Sequence, residues 1–80
     1  MNKKKLIKKI TFNKNTKIKD VLVGFQETAM YTEKRGFGII VDQKDACVGV
    51  VTDGDIRSYL LRKGSIEDKI KLAMNKDFIF

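Results

Sequence analysis

Apolar residues recur along this chain at two different periods, and the changes of period divide it into elements. Ile7, Ile10 and Phe12 mark a short apolar segment that predicts an edge strand, its lysines discouraging open-edge pairing. Asn13, Lys14 and Asn15 form a polar turn, and Thr16 is a suitable N-cap for the next element. Ile18, Val21, Leu22, Phe25 and Ala29 then return at helical spacing, with Asp20, Glu27, Glu33 and Lys34 mostly on the other side. This spacing predicts an amphipathic helix over residues 17–34, closed by Gly36. Gly24 inside it costs about 1 kcal/mol against alanine, which points to a close approach by a neighbouring backbone.

Past Gly36 the pattern turns continuous. Phe37-Gly38-Ile39-Ile40-Val41 and Ala46-Cys47-Val48-Gly49-Val50-Val51 read as two strands joined by a turn at Asp42-Gln43-Lys44-Asp45. Strands apolar on both sides require cover on both sides, and one helix layer covers only one. A second helix is expected over residues 54–63, with Ile56, Tyr59, Leu60 and Leu61 facing inward and Gly64 ending it. Ser65 and Asp68 stand at capping-box spacing, and Ile66, Ile70 and Ala73 give the apolar stripe of a short third helix. The sequence closes on Phe78-Ile79-Phe80, the pattern of a strand in need of a partner.

Size and composition narrow what such a fold can be. Eighty residues make one domain at most, and a core of that size rarely supplies more than about 3 to 5 kcal/mol. A single cysteine, Cys47, forms no internal disulfide, sits in an apolar strand pattern as a small buried hydrophobe, and fits a reducing compartment. No apolar run has membrane-spanning or signal-peptide character, so a cytoplasmic location is expected, with no membrane partner. The net charge of +7 is carried by the start of the chain: residues 1–19 hold eight lysines and no acid, whereas residues 20–80 hold nine Lys/Arg against ten Asp/Glu. A basic arm can touch phosphate backbones, but with no arginine, little aromatic interleaving and no glycine-rich clamp it lacks the equipment of sequence-specific nucleic-acid binding. Nucleic acid is the third choice of partner.

Candidate chemistry concentrates in Gly49-Val50-Val51-Thr52-Asp53-Gly54-Asp55-Ile56-Arg57, where an apolar strand turns directly into a helix start. Thr52, Asp53 and Asp55 sit at that mouth, where free backbone N–H groups and the helix dipole attract an anion, and a carboxylate can accept from both hydroxyls of a sugar. Thr52 followed by Asp55 is equally a capping box, and spacing alone does not separate the two readings. Asp53 lies where its charge would repel a phosphate, which favours a ligand with few phosphates or an accompanying cation. Arg57, one turn into the helix, can reach an anionic ligand or pair locally. No metal is expected at Asp53 and Asp55, since a calcium loop starting there needs Glu at position 64, which is glycine. Without histidine, a phosphate loop of the GxxxxGK type or a base near Ser58 or Ser65, no enzymatic activity is expected of these residues.

The predicted order is strand, helix, strand, strand, helix and an outgoing strand. With Gly38-Ile39-Ile40-Val41-Asp42 and the nine-residue run from Gly49, it resembles a CBS domain, and the wording is most similar to CBS modules joined to sugar-phosphate nucleotidyltransferases or isomerases. The resemblance implies an α+β motif, a small sheet covered by two helices, paired with a second copy. It further implies a basic leader at 1–9, the motif at 10–74, and an outgoing strand or the start of a second motif at 75–80. Its function would be regulatory binding of an adenosine-containing ligand such as AMP, ADP, ATP or S-adenosylmethionine, with no cofactor required. Carried over to this sequence, Thr52 meets phosphate, Asp55 holds the ribose hydroxyls, Thr16 offers a polar contact, and Phe37, Gly38 and Ile39 offer backbone contacts to adenine. The alternatives are a structural pairing module without ligand and a basic-arm binder of nucleic acid.

Overall fold

The computed structural model describes residues 10–28 and 36–77. Strand β1 (Thr11–Asn13) leads into helix α1 (Ile18–Thr28); β2 (Phe37–Val41) and β3 (Cys47–Thr52) come next, then helix α2 (Asp53–Leu61) and a 3-10 turn at Ile70–Leu72. The sheet order is β1-β2-β3, with β1 parallel to β2 and β3 antiparallel to it. A parallel pair needs a crossover, which α1 supplies, whereas a tight turn suffices for the antiparallel pair. In that turn Asp42 accepts from the amides of Lys44 (2.8 Å) and Ala46 (3.1 Å), and Asp45 takes the left-handed conformation (φ 61°). The predicted α+β class and the turn at 42–45 are both present.

One face of the sheet is sealed. Ile18, Val21 and Phe25 from α1, Ile56 from α2, Ile40 and Val51 from the strands, and Ile70 and Ala73 from the last segment form one buried cluster. Phe12 joins it edge-on to Phe25, ring centroids 6.1 Å apart. A Cβ on Gly24 would stand 2.6 Å from the Phe12 ring, so the close approach that this glycine permits comes from a side chain instead of a backbone. The opposite face carries Thr11, Ile39 and Val50 in one rank and Phe37 beside Thr52 in the next, all half-buried or exposed. Cover for the second face, which the strand pattern demands, is not supplied by the described residues.

Four expectations change at the ends of elements. The third helix is reduced to the 3-10 turn at Ile70–Leu72, with Ile70 and Ala73 buried as expected: before it the carbonyls of Ile66 and Asp68 accept from the amides of Lys19 and Ile18 (2.9 Å each), and Lys69 bridges to Lys17. These are the first amides of α1, so a distant turn caps it and the Thr16 side chain is not needed; Thr16 donates its own amide to Asn13 and accepts from Ile70 through its carbonyl. Gly64 does not take the left-handed position after α2; Lys63 does (φ 73°), giving a Schellman motif in which Lys63 donates to Leu60 and Gly64 to Tyr59. Gly64 is needed for another reason, since a Cβ there would lie 2.3 Å from the Tyr59 ring. Leu61 points outward, 80% exposed, because α2 rests on the core through Ile56 with Tyr59 and Leu60 beside it.

Cys47 is half-buried, its thiol donating to the Gly49 carbonyl (3.5 Å), which corrects its reading as a core residue: it pairs with Val41 at the irregular end of the β2–β3 ladder. The predicted continuation of α1 to residue 34 lies outside the described residues, as does Phe78-Ile79-Phe80; Asn75 makes a two-way backbone bridge with Val50 on the free edge of β3. The expected closure of α1 by Gly36 depends on residues 29–35 and likewise lies outside the described residues.

The 65–69 turn is held by side chains as well. Tyr59 donates its hydroxyl to Asp68 (2.6 Å), which also accepts from the Ser65 amide (3.0 Å), while Glu67 pairs with Lys17 (3.1 Å) and Lys19 (3.0 Å). The Tyr59 hydroxyl, then the Ser65 amide, hold the Asp68 carboxyl below its ordinary range, and hydrogen bonds from Lys19 and Lys17 do the same for Glu67. A carboxyl whose folded-state pKa is depressed stabilises the fold above its unfolded value, and that contribution disappears as the pH falls through the folded one. Tyr59→Phe is therefore expected to lower the urea midpoint at about pH 7 and to approach the unaltered chain in acid, once the pH has fallen through the depressed folded-state value of Asp68. An equal deficit at both would show that the hydroxyl acts without the carboxylate charge.

Candidate functional site

The strand β3 passes into α2 without a loop, and the candidate site is built on that junction. Thr52 is still extended (φ −123°, ψ 170°) when it becomes the N-cap of α2. Its hydroxyl accepts from the Asp55 amide (3.2 Å), and its amide donates to the Asp55 carboxylate (2.9 Å), so the capping box is complete. The Thr52 amide faces the free edge of β3, the same edge on which Val50 is bridged by Asn75; Asp55 thereby closes the last rung of an unpaired strand edge. This geometry leaves the Thr52 hydroxyl its proton to donate and Asp55 a second carboxylate oxygen to accept with.

Asp53 is turned the other way. Its carboxylate accepts from the Gly36 amide (3.1 Å), and its own amide donates to the Gly36 carbonyl (3.3 Å). Both acids lie in the first turn of α2, where negative charge complements the helix dipole.

Phe37 is paired with Thr52, Gly38 with Val51 and Ile39 with Val50, so these three expected contact residues stand beside Thr52 in the sheet. Gly38 is buried, and a Cβ on it would come 3.1 Å from the Phe12 ring; Phe37 and Ile39 lie on the open face, with Phe37 42% exposed. Thr16 is not part of this group. It comes after β1 at the far end of the sheet from Thr52, separated by the length of β2, roughly 13 Å at the usual rise per residue. Arg57 is exposed on α2 and helps to line a groove of about 340 Å³ with Leu22, Asp53, Ile56, Leu60 and Leu61, on the helical side of the molecule.

Gly36, which its sequence context marks only as a helix terminator, joins the candidate site through its two bonds with Asp53. Glycine directly before a strand, with an acid at the first helical position after the partner strand, is the signal that points to it. Among the described residues no group of three His, Cys, Asp or Glu is placed to hold a metal ion, and no helix is long and apolar enough to cross a membrane.

Solved structures share the fold that builds this strand-to-helix junction beside an open sheet face. A CBS domain protein from Pyrobaculum aerophilum, complexed with AMP, superposes with a TM-score of 0.72 at 12% identity over 89% of this chain and 52% of that one. OpuCA from Staphylococcus aureus gives a TM-score of 0.67 at 13% identity, covering 86% of this chain and 51% of its own. A CBS-domain containing protein from Agrobacterium tumefaciens gives 0.65 at 18% identity, covering 88% and 50%. The fold is therefore that of CBS domains, and the chain spans about half the length of each of these structures. No family model matches the chain, and no curated protein matches it by sequence.

Proposed function

We propose that this chain is one half of a regulatory module that binds an adenosine-containing ligand, of the AMP, ATP or S-adenosylmethionine type, at the Thr52 junction. The ligand would lie against Phe37 and Ile39, and a second motif, from another copy or another part of a longer protein, would close the crevice over the open sheet face. The observation that carries this reading is the position of Thr52 and Asp55: each keeps one hydrogen-bonding function for a ligand, on the edge of an apolar face that nothing described covers. The AMP complex of a protein with the same fold supports the class of ligand. In this role Thr52 donates to phosphate and Asp55 accepts from the ribose hydroxyls, while the chemistry under control belongs to an attached or associated enzyme, a sugar-phosphate nucleotidyltransferase or isomerase in the reading of the motif wording.

Calorimetric titration of the chain with AMP, ADP, ATP and S-adenosylmethionine tests the proposal, and heat of binding with at least one of them is expected. Binding to the paired form alone also raises stability by mass action, about 2.7 kcal/mol at a hundredfold excess over the dissociation constant. Absence of heat with all four ends the nucleotide reading.

The completed capping box favours a second reading, a pairing module without ligand in which Thr52 and Asp55 serve only the start of α2. In that case the titrations stay flat while light scattering still finds paired chains.

A further inference from the structure

We infer that Asp53 is a positioning residue for base recognition: it makes no contact with the ligand, but locks the entry of β2 so that Phe37, Gly38 and Ile39 are presented at a fixed height beside Thr52. The inference rests on the nucleotide reading above and assigns Asp53 a different task from the one its charge implies.

The ladder between β2 and β3 alternates. Gly38 with Val51 and Ile40 with Gly49 are hydrogen-bonded pairs, so the next rung toward α2 falls between Gly36 and Asp53. An antiparallel rung needs two bonds, one from each amide. Asp53 supplies the first, from its amide to the Gly36 carbonyl (3.3 Å). Its own carbonyl cannot complete the exchange, because Asp53 is the first residue of α2 and that oxygen belongs to the helix ladder. The carboxylate takes the carbonyl's place and accepts from the Gly36 amide at 3.1 Å. The side chain thus carries the sheet one rung past the point where its backbone has left it.

The fit around the rung is close. A Cβ on Gly36 would stand 2.2 Å from the Phe25 ring and 2.5 Å from an Asp53 carboxylate oxygen, so only glycine enters here. Phe37 comes immediately after and pairs with Thr52. Releasing the rung frees the start of β2, the backbone that adenine would meet, while Thr52 and Asp55 keep their own mutual bonds on the other edge of β3.

Two substitutions separate this from a charge effect. Asp53→Asn retains an oxygen that can accept from Gly36 but removes the charge; Asp53→Ala removes both. Titration of AMP and of ribose 5-phosphate, which lacks the base, is the test, with amide exchange of Gly36 followed by NMR in the ligand-free chain. Asp53→Ala is expected to weaken AMP about tenfold and ribose 5-phosphate less than about twofold, with Gly36 exchange faster by about tenfold, as the loss of one hydrogen bond implies. Asp53→Asn is expected to stay close to the unaltered chain in all three. Equal weakening of both ligands, an Asn variant as weak as the Ala variant, or unchanged Gly36 exchange would overturn the inference. An unaltered chain that binds no AMP overturns the nucleotide reading itself and this inference with it, whereas AMP binding indifferent to Asp53→Ala overturns only the latter.

Discussion

Ile40→Ala is expected to leave this chain largely unfolded at room temperature. Ile40 lies in the central strand, has no exposed surface, and belongs to the buried cluster that joins both helices to the sheet. Truncating a fully buried isoleucine costs about 2 to 5 kcal/mol through lost transfer energy and the cavity left behind. A core in a domain of this size supplies about 3 to 5 kcal/mol in all. The loss is therefore comparable with the whole margin. Ile40→Val, which costs about 0.5 to 1.5 kcal/mol, is expected to remain folded with a lower urea midpoint. Far-UV circular dichroism against urea distinguishes the two, and an alanine variant that melts like the unaltered chain would mean that the sheet is held by something other than this core.

Asp55 is the residue on which the ligand and capping readings diverge most. Asp55→Asn can still accept from the Thr52 amide and leaves the Asp55 amide free to donate to the Thr52 hydroxyl, so the cap survives. Asp55→Ala keeps only the second bond and is expected to cost about 1 kcal/mol of stability. For a nucleotide the ranking differs, because the one oxygen of an amide is taken by the Thr52 amide and its NH2 cannot accept from the ribose hydroxyls, as the second carboxylate oxygen does. Both variants are expected to lose AMP affinity by about ten- to a hundredfold, the value of hydrogen bonds to a charged group. An Asn variant that binds AMP as the unaltered chain does would remove Asp55 from the ribose. Loss of stability in the Ala variant, with flat titrations throughout, would leave the capping role alone.

The elements with a long, regular pattern are legible in the residues themselves: the stripe of Ile18, Val21, Leu22 and Phe25, the strands β2 and β3, the turn opened by Asp42, and the Thr52 cap all occur where residue spacing puts them. What escapes such a reading is decided between distant parts of the chain. The 65–69 segment has a helix-start pattern, yet its carbonyls are worth more on the exposed amides of α1 than in a short helix of their own. Lys63 takes the left-handed position, and Gly64 instead makes room for the Tyr59 ring, a contact five residues apart that no turn rule records. Of the candidate site, the β3–α2 junction is readable from its own residues. The separation of Thr16 from it, and the Gly36–Asp53 rung, depend on strand order and register, which a run of apolar letters does not encode.

The capping of α1 by the carbonyls of Ile66 and Asp68 also dictates an order of events during synthesis. The helix is translated early, but the groups that satisfy its first amides emerge from the ribosome some fifty residues later. Until then those amides are served by water alone, and a nascent chain halted before Ile66 holds a helix with a frayed amino end and a sheet lacking Ile70 and Ala73 beneath it. Folding of the whole unit is therefore tied to delivery of residues 66–73, and contacts of such long sequence separation make it a slow closure for so short a chain.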